Sequence, residues 1–325
     1  MNLNHTEEQK LIIESLRGIV KKHGTLLPDE RRALFVPADE MEIELRHSGF
    51  LDLAEQDGMG ALEAVLVVEE LSASARVIEV GASLLVAPQL SVSVPGPVAL
   101  IRSSDIHKPH RFLPKANTAL VLLESENDVA ILDLASIKVH TVDTILGYPF
   151  GTFASVPDLD RAPRAGSASG DVMRKWWRLA IAAECSGAIR SATEFTTDYV
   201  KDRVVFGRPL GAFQALQHRL AHCHKLSNGL HWLLMRAAWS EAEVDAALVA
   251  LYAQQHIQQI VFDLHQFNGA MGMTLEHALH FWTYRLRALQ GELGGFNEQA
   301  LAAAKILWSG DKSPCALPEL MRGDC

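Results

Sequence analysis

The chain has 325 residues, 48% of them apolar and 21% charged, a soluble globular balance with room for two domains or one large one. A formal charge of −9 makes it a poor partner for nucleic acid or an acidic membrane, and no apolar run reaches the roughly 18 residues a spanning helix needs. Its cysteines (Cys185, Cys223, Cys315 and Cys325) are scattered without a C-x-x-C pair, and no apolar run follows a basic start at the N-terminus. These features predict free thiols, no signal peptide and a cytoplasmic protein.

The first stretch predicts a helix. Thr6 stands as N-cap with Gln9 three residues on, Ile12, Ile13, Leu16, Ile19 and Val20 share one face, and Gly24 stops it. "GALEAVLVVEELSASARV" predicts a second apolar helix after an Asp57-Gly58 turn. From Pro88 the texture changes. "TALVLLESENDVAILDLASIKVHTVD" reads as strands with Ser-Glu-Asn-Asp as a turn, punctuated by frequent prolines. "RAPRAGSASGD" is a small-residue linker whose Asp171 is placed as an N-cap.

Helical periodicity then returns. Phe213, Leu216, Leu220, Cys223, Leu226, Leu230 and Leu234 keep a 3–4 spacing, as do Val244, Leu248, Leu251, Ile257, Ile260, Val261 and Leu264. The predicted fold is mainly α with a β insert: an N-terminal helical domain over 1–87, a reduced middle β domain over 88–165 and a C-terminal four-helix bundle over 166–325.

Two turns carry chemistry. In "YVKDRVVFGRPLGAFQALQHRLA" (199–221) a plain helix stop explains Gly207 and Pro209, because Gly takes the left-handed turn and Pro forbids continuation. It leaves Arg203, Phe206, Gln214 and Gln217 unexplained. "HQFNGAMGMTLEHALH" (265–280) puts Gln266, Gly269, Ala270 and Gly272 between two helices, where small residues let a ligand approach the backbone. His218, His222 and His224 are read as helix-surface histidines rather than metal ligands, and no metal is expected. Trp176 and Trp177 are read as core or interface.

Together the two turns resemble the acyl-CoA dehydrogenases. The first is similar to their Y-x-x-x-R-x-x-F-G-x-P-x-x-x-F-Q-x-x-Q-H-x-L-A signature and the second to their H-G-G-x-G-F-T-x-E-H segment. "TEEQ" and the "EEL" at Glu69–Leu71 sit where the family has them. The resemblance implies FAD held at a subunit interface. It further implies that Arg203, Phe206, Leu210, Phe213 and Gln214, with Gln266, Gly269 and Ala270, reach the cofactor of a neighbouring subunit. The guanidinium would grip the pyrophosphate and the phenyl ring would pack on the cofactor.

Departures from the family pattern are equally specific. The β stretch lacks the Thr-Glu-Pro loop, and all the tryptophans, from Trp176 to Trp308, follow the linker. The family's catalytic carboxylate occupies one of two positions, which here read Trp177, ahead of Arg178, and Leu293, inside "RALQGELGG". Glu292 lies one residue off and is read as a solvated helix-end residue, with a local slip into the site as the other reading.

The expectation is therefore a subunit of a heteromeric α2β2 acyl-CoA dehydrogenase. It would form an α,β-unsaturated acyl-CoA, with a steroid-type thioester as the candidate substrate. A second, acyl-CoA dehydrogenase-like subunit would carry the base, and a separate acceptor would take the electrons. The alternatives are a homo-oligomeric enzyme with Glu292 as catalytic base, and a non-catalytic structural subunit.

Overall fold

The computed structural model describes residues 5–55, 59–90, 92 and 94–308. The Asp57-Gly58 turn, Cys315 and Cys325 lie outside these residues. Helices α1 (Glu7–His23), α2 (Asp39–His47) and α3 (Ala61–Ser72) come first. Thr6 caps α1 with the expected reciprocal box: Gln9 N–H donates to Thr6 Oγ1 at 3.2 Å, and Thr6 N–H donates to Gln9 Oε1 at 3.0 Å. Ile12, Ile13, Leu16 and Ile19 are buried along one face. In α3 every residue from Ala64 to Ser72 is buried, Glu69 and Glu70 included.

Six short strands follow: β1 (Val98–Arg102), β2 (His110–Arg111), β3 (Thr118–Leu123), β4 (Asp128–Asp133), β5 (Val139–Val142) and β6 (Phe150–Phe153). They form two three-stranded sheets, ordered β1-β3-β4 and β2-β6-β5, with β1 parallel to β3 and the other pairs antiparallel. The period-2 rule divides the first sheet between two cores. Ala99, Ile101, Ala119, Val121, Ala130 and Leu132 face a small core of the β region. Val98, Leu100, Leu120, Leu122 and Val129 face the helices. That is why β3 is buried throughout and reads as an unbroken apolar run.

After the linker, α4 (Ser169–Asp202) forms the spine of a bundle completed by α5 (Gln214–Ser240), α6 (Glu243–Gly272), α7 (His280–Gln290) and α8 (Gly295–Trp308). From Trp176 to Ile189 every residue of α4 is buried, so this helix shows no amphipathic stripe there. Gly187 permits the close approach of α3, since a Cβ would collide with the Glu69 carbonyl. Two expectations fail locally. Asp171 is not the N-cap of α4; that position is Ala168, and Asp171 sits in the first turn, accepting from Asn127 at 2.8 Å and Arg174 at 2.9 Å. Leu248 keeps the apolar spacing of α6 but lies exposed on its outer face.

Candidate functional site

Where α4 ends, the chain does more than turn. Val204–Val205 (β7) and Arg208–Pro209 (β8) pair antiparallel around Phe206 and Gly207, whose φ values are 55° and 77°. Two consecutive left-handed residues make the tight turn that matches strand twist. Glycine adopts this backbone freely, but phenylalanine is strained in it. The ring nevertheless stands 89% exposed at the hairpin tip, with the Phe213 ring edge-on to it at 6.4 Å between centroids. Arg203 is exposed, and its guanidinium makes no hydrogen bond or ion pair among the described residues. Gln214 is exposed too, whereas Gln217 is used locally, donating to the Gly211 carbonyl at 2.7 Å.

The second turn lies at the same end of the bundle. Asn268 on α6 donates to Thr196 on α4 at 2.9 Å, and Tyr199 meets the His277 ring at 5.2 Å. Arg219 at the start of α5 pairs with Asp263 and lies over the Phe267 ring. Gly269 breaks α6 with φ 57°, ψ −142°, and open space surrounds the place its Cβ would occupy. Gln266, Gly269 and Ala270 are exposed. Arg203, Phe206, Gln214, Gln266, Gly269 and Ala270 thus present an outward-facing platform, with Leu210 and Phe213 half-buried beneath it.

A different arrangement occupies the other half of α4. Trp177 and Leu293 line one cavity of about 340 Å³, together with Glu292, Arg111, Phe150 and Leu100. Glu292 is not a solvated helix-end residue. Its side chain is only 11% exposed and accepts the Trp177 indole N–H on Oε1 at 2.7 Å, with Oε2 2.7 Å from Arg111 Nε. Arg111, on β2, also pairs bidentately with Glu184 on α4 at 2.6 and 2.9 Å, and the Tyr148 hydroxyl donates to Glu184 at 3.2 Å. Gly81 lies against the same carboxylate, where any Cβ would clash.

Burial is the largest influence on Glu292 and raises its pKa; Arg111 pulls against this and Glu184 adds to it. Burial works against the Arg111 charge as well, yet Glu184 and Glu292 together hold its pKa well above the ordinary value. Burial and then Glu184 push Tyr148 well up, so it stays a neutral donor.

The backbone carrying Glu292 is tightly specified. Leu293, Gly294 and Gly295 have φ values of 50°, 85° and 70°. The fully buried Gln254 donates to the carbonyls of Leu289 and Glu292, both at 2.8 Å. Gln299 donates to the Leu293 carbonyl at 2.9 Å and accepts from Arg178 at 2.8 Å. Strained turns persist only where the surroundings over-determine them.

Residues 174–305 match the model of the acyl-CoA dehydrogenase C-terminal domain. Over that segment the chain is an acyl-CoA dehydrogenase C-terminal domain. Among its relatives, the acyl-CoA dehydrogenase IpdE2 of Mycolicibacterium smegmatis is 27% identical over 312 residues, covering 90% of this chain and 97% of that one. Its fold is that of solved acyl-CoA dehydrogenases. A chain of the ChsE4-ChsE5 complex from Mycobacterium tuberculosis superposes with a TM-score of 0.75 at 20% identity, covering 96% of this chain and all of the other. A chain of the Tcur3481-Tcur3483 steroid acyl-CoA dehydrogenase gives 0.77 at 20% identity, covering 94% and 99%.

FAD is the family's cofactor. The exposed platform fits its diphosphate: a guanidinium unpaired among the described residues, a ring held out at a strained tip, and open backbone at Gly269. Sequence reasoning missed Arg111, Glu184, Tyr148, Gln254 and Gln299. A lone Glu184 inside the apolar run "LAIAAECSGAI" was the available signal, since a charge buried in a helix core demands a partner. Among the described residues no cluster suited to a metal occurs, and no helix is long and apolar enough to cross a membrane.

Proposed function

We propose that this chain is a subunit of a flavin-dependent acyl-CoA dehydrogenase that forms α,β-unsaturated acyl-CoA within a heteromeric α2β2 assembly. In that assembly Arg203, Phe206, Leu210, Phe213, Gln214, Gln266, Gly269 and Ala270 clamp the ADP half of an FAD seated mainly in a neighbouring subunit. The observation that carries this reading is the position of the platform. It faces outward, and a helical rise of about 1.5 Å per residue puts roughly 33 Å along α4 between Tyr199, where the platform starts, and Trp177 in the cavity. A clamp so placed serves another chain's crevice. When bound, FAD supplies the hydride acceptor.

The likeness to a chain of the ChsE4-ChsE5 complex and to a chain of the Tcur3481-Tcur3483 steroid acyl-CoA dehydrogenase supports a paired assembly acting on a steroid-type CoA thioester, with a separate protein taking the electrons. Co-expression with candidate companion subunits and measurement of flavin per polypeptide tests this. Half a flavin per chain is expected, and full flavin on the chain purified alone would overturn it.

A second reading concerns the base. The burial of Glu292 between Trp177 and Arg111 at the cavity wall favours this chain, rather than the partner, as the source of the carboxylate that removes the α-proton. Glu292→Gln in the flavin-loaded assembly separates the two. Loss of dehydrogenation with flavin retained supports Glu292, and full activity assigns the base to the partner.

A further inference from the structure

Two carboxylates share one guanidinium inside the cavity wall, and they do not share it equally. Glu184 takes both terminal nitrogens of Arg111 and the Tyr148 hydroxyl as well. Glu292 accepts the Trp177 N–H, and its Oε2 lies 2.7 Å from Arg111 Nε as an ion pair, out of line for a hydrogen bond. Glu292 is therefore the more loosely held of the pair, and it is the one bordering the cavity. Like charges brought together around a single cation cannot both be fully compensated, so the less satisfied one has the greater appetite for a proton.

We propose that Arg111 and Glu184 are positioning residues: they aim the Glu292 carboxylate into the cavity and set its proton affinity for removing the α-proton of an acyl thioester. The proposal rests on the second reading above, in which Glu292 is the base. In the step it serves, the Cα–H bond breaks and its proton passes to a Glu292 oxygen. The bonding pair becomes the new Cα=Cβ π bond as the β-hydrogen leaves with its electrons to FAD, the oxidant.

The groups facing Glu292 come from every wall. Arg111 stands on β2, Glu184 and Cys185 on α4, and Tyr148 precedes β6. Across the cavity lie Arg102, Asp105, Lys108 and His110 from the β1–β2 segment and Arg287 from α7. Arg102 and Lys108 are already paired with Asp105 at 2.8 and 2.6 Å, and Arg287 donates to Gln290 at 3.0 Å. Burial keeps His110 neutral by lowering its pKa. Arg111 and Glu184 thus dominate the local charge.

The test uses the flavin-loaded assembly and measures deuterium wash-in at the α-carbon of two probes, octanoyl-CoA and 3-cyclohexylpropanoyl-CoA, as a function of pH, together with flavin content. Glu292→Gln should lower exchange by about 100-fold or more with flavin retained. Glu184→Gln, which removes the competing charge, should move the acidic limb of the exchange profile to lower pH, with the half-saturating probe concentration changed less than about 2-fold. Arg111→Met should move that limb to higher pH; if it does not fold, the direction of the Glu184→Gln shift decides alone. Loss of exchange in Glu292→Gln with an unmoved limb in Glu184→Gln overturns the positioning role and leaves the base assignment standing. Unimpaired exchange in Glu292→Gln, or none by the unsubstituted assembly with either probe, overturns both.

Discussion

Trp177 and Glu292 are 115 residues apart in the chain and meet through an indole N–H to carboxylate hydrogen bond of 2.7 Å. One belongs to the first bundle helix, the other to the turn before the last, and the family places its carboxylate at or beside one of these two positions. Trp177→Phe removes the donor and leaves a buried carboxylate oxygen without a partner. A destabilisation of about 2–4 kcal/mol is expected from the lost bond and the cavity left behind. The titration of Glu292 should move further up, because a bond favouring its anion is gone. Urea unfolding gives the first quantity, and the infrared carboxyl band assigned by difference from Glu292→Gln gives the second.

Phe206 offers a separation of stability from function. Its backbone sits at φ 55° and its ring is almost wholly exposed. Phe206→Gly relieves a strain of about 1–2 kcal/mol and adds about 0.5–1 kcal/mol of chain entropy to the unfolded state. Stability should hold or rise by up to about 1 kcal/mol, while flavin retention by the assembly falls. A clear loss of stability would show that the ring serves its own fold.

Arg203→Ala should change the unfolding free energy by no more than about 0.5 kcal/mol, since the guanidinium is exposed and makes no hydrogen bond or ion pair among the described residues. Flavin content of the reconstituted assembly should drop several-fold. Unchanged flavin content would remove the platform from the cofactor site.

Local chemistry was legible where the chain decides its structure alone. The Thr6–Gln9 box and the buried Leu220, Cys223, Leu226, Leu230 and Leu234 of α5 appear as expected, because capping and helical periodicity are short-range rules. The positive φ of Gly207 was likewise readable. Its hairpin was not, because it turns on Phe206 accepting a conformation that its type disfavours. The cavity was hidden for a different reason. Arg111, Glu184 and Glu292 come from three distant segments, and only the docking of the β region against α4 brings them together. A solvated Glu292 was a fair reading of "QGELGG" without that docking.

Buried carboxyls give the pH dependence an unusual sign. Burial raises the pKa values of Glu292 and Glu79 in the folded state. Between the ordinary carboxyl range and those raised values the folded chain holds protons that the unfolded chain has lost, so this contribution weakens as pH rises through the window. Glu69 runs the other way. Burial is the largest single influence and opposes its charge, but His231, Arg190 and Ser186 together outweigh it and lower its pKa, so its contribution is lost as pH falls below the ordinary range. Urea midpoints for Glu292→Gln should therefore decline less than the parent's as pH rises above the ordinary carboxyl range. An unaltered slope would remove Glu292 from the raised set.

Gln254 tests how the turn is held. Its side-chain amide spans the Leu289 and Glu292 carbonyls from a fully buried position on α6, and its own Oε1 has no partner among the described residues. Gln254→Leu keeps the volume close but strips two buried carbonyls of their donor, at about 1–3 kcal/mol each where no other donor reaches them. Removing the unpartnered Oε1 offsets part of that, so a net loss of about 2–3 kcal/mol is expected. Leu293, left-handed at φ 50°, would then be free to relax towards negative φ and swing Glu292 off Trp177 and Arg111. Wash-in at the α-carbon should fall more steeply than the loss of folded protein accounts for. If exchange per folded molecule is unchanged in Gln254→Leu, the strained backbone is ornament to the site and Glu292 is aimed by its side-chain partners alone.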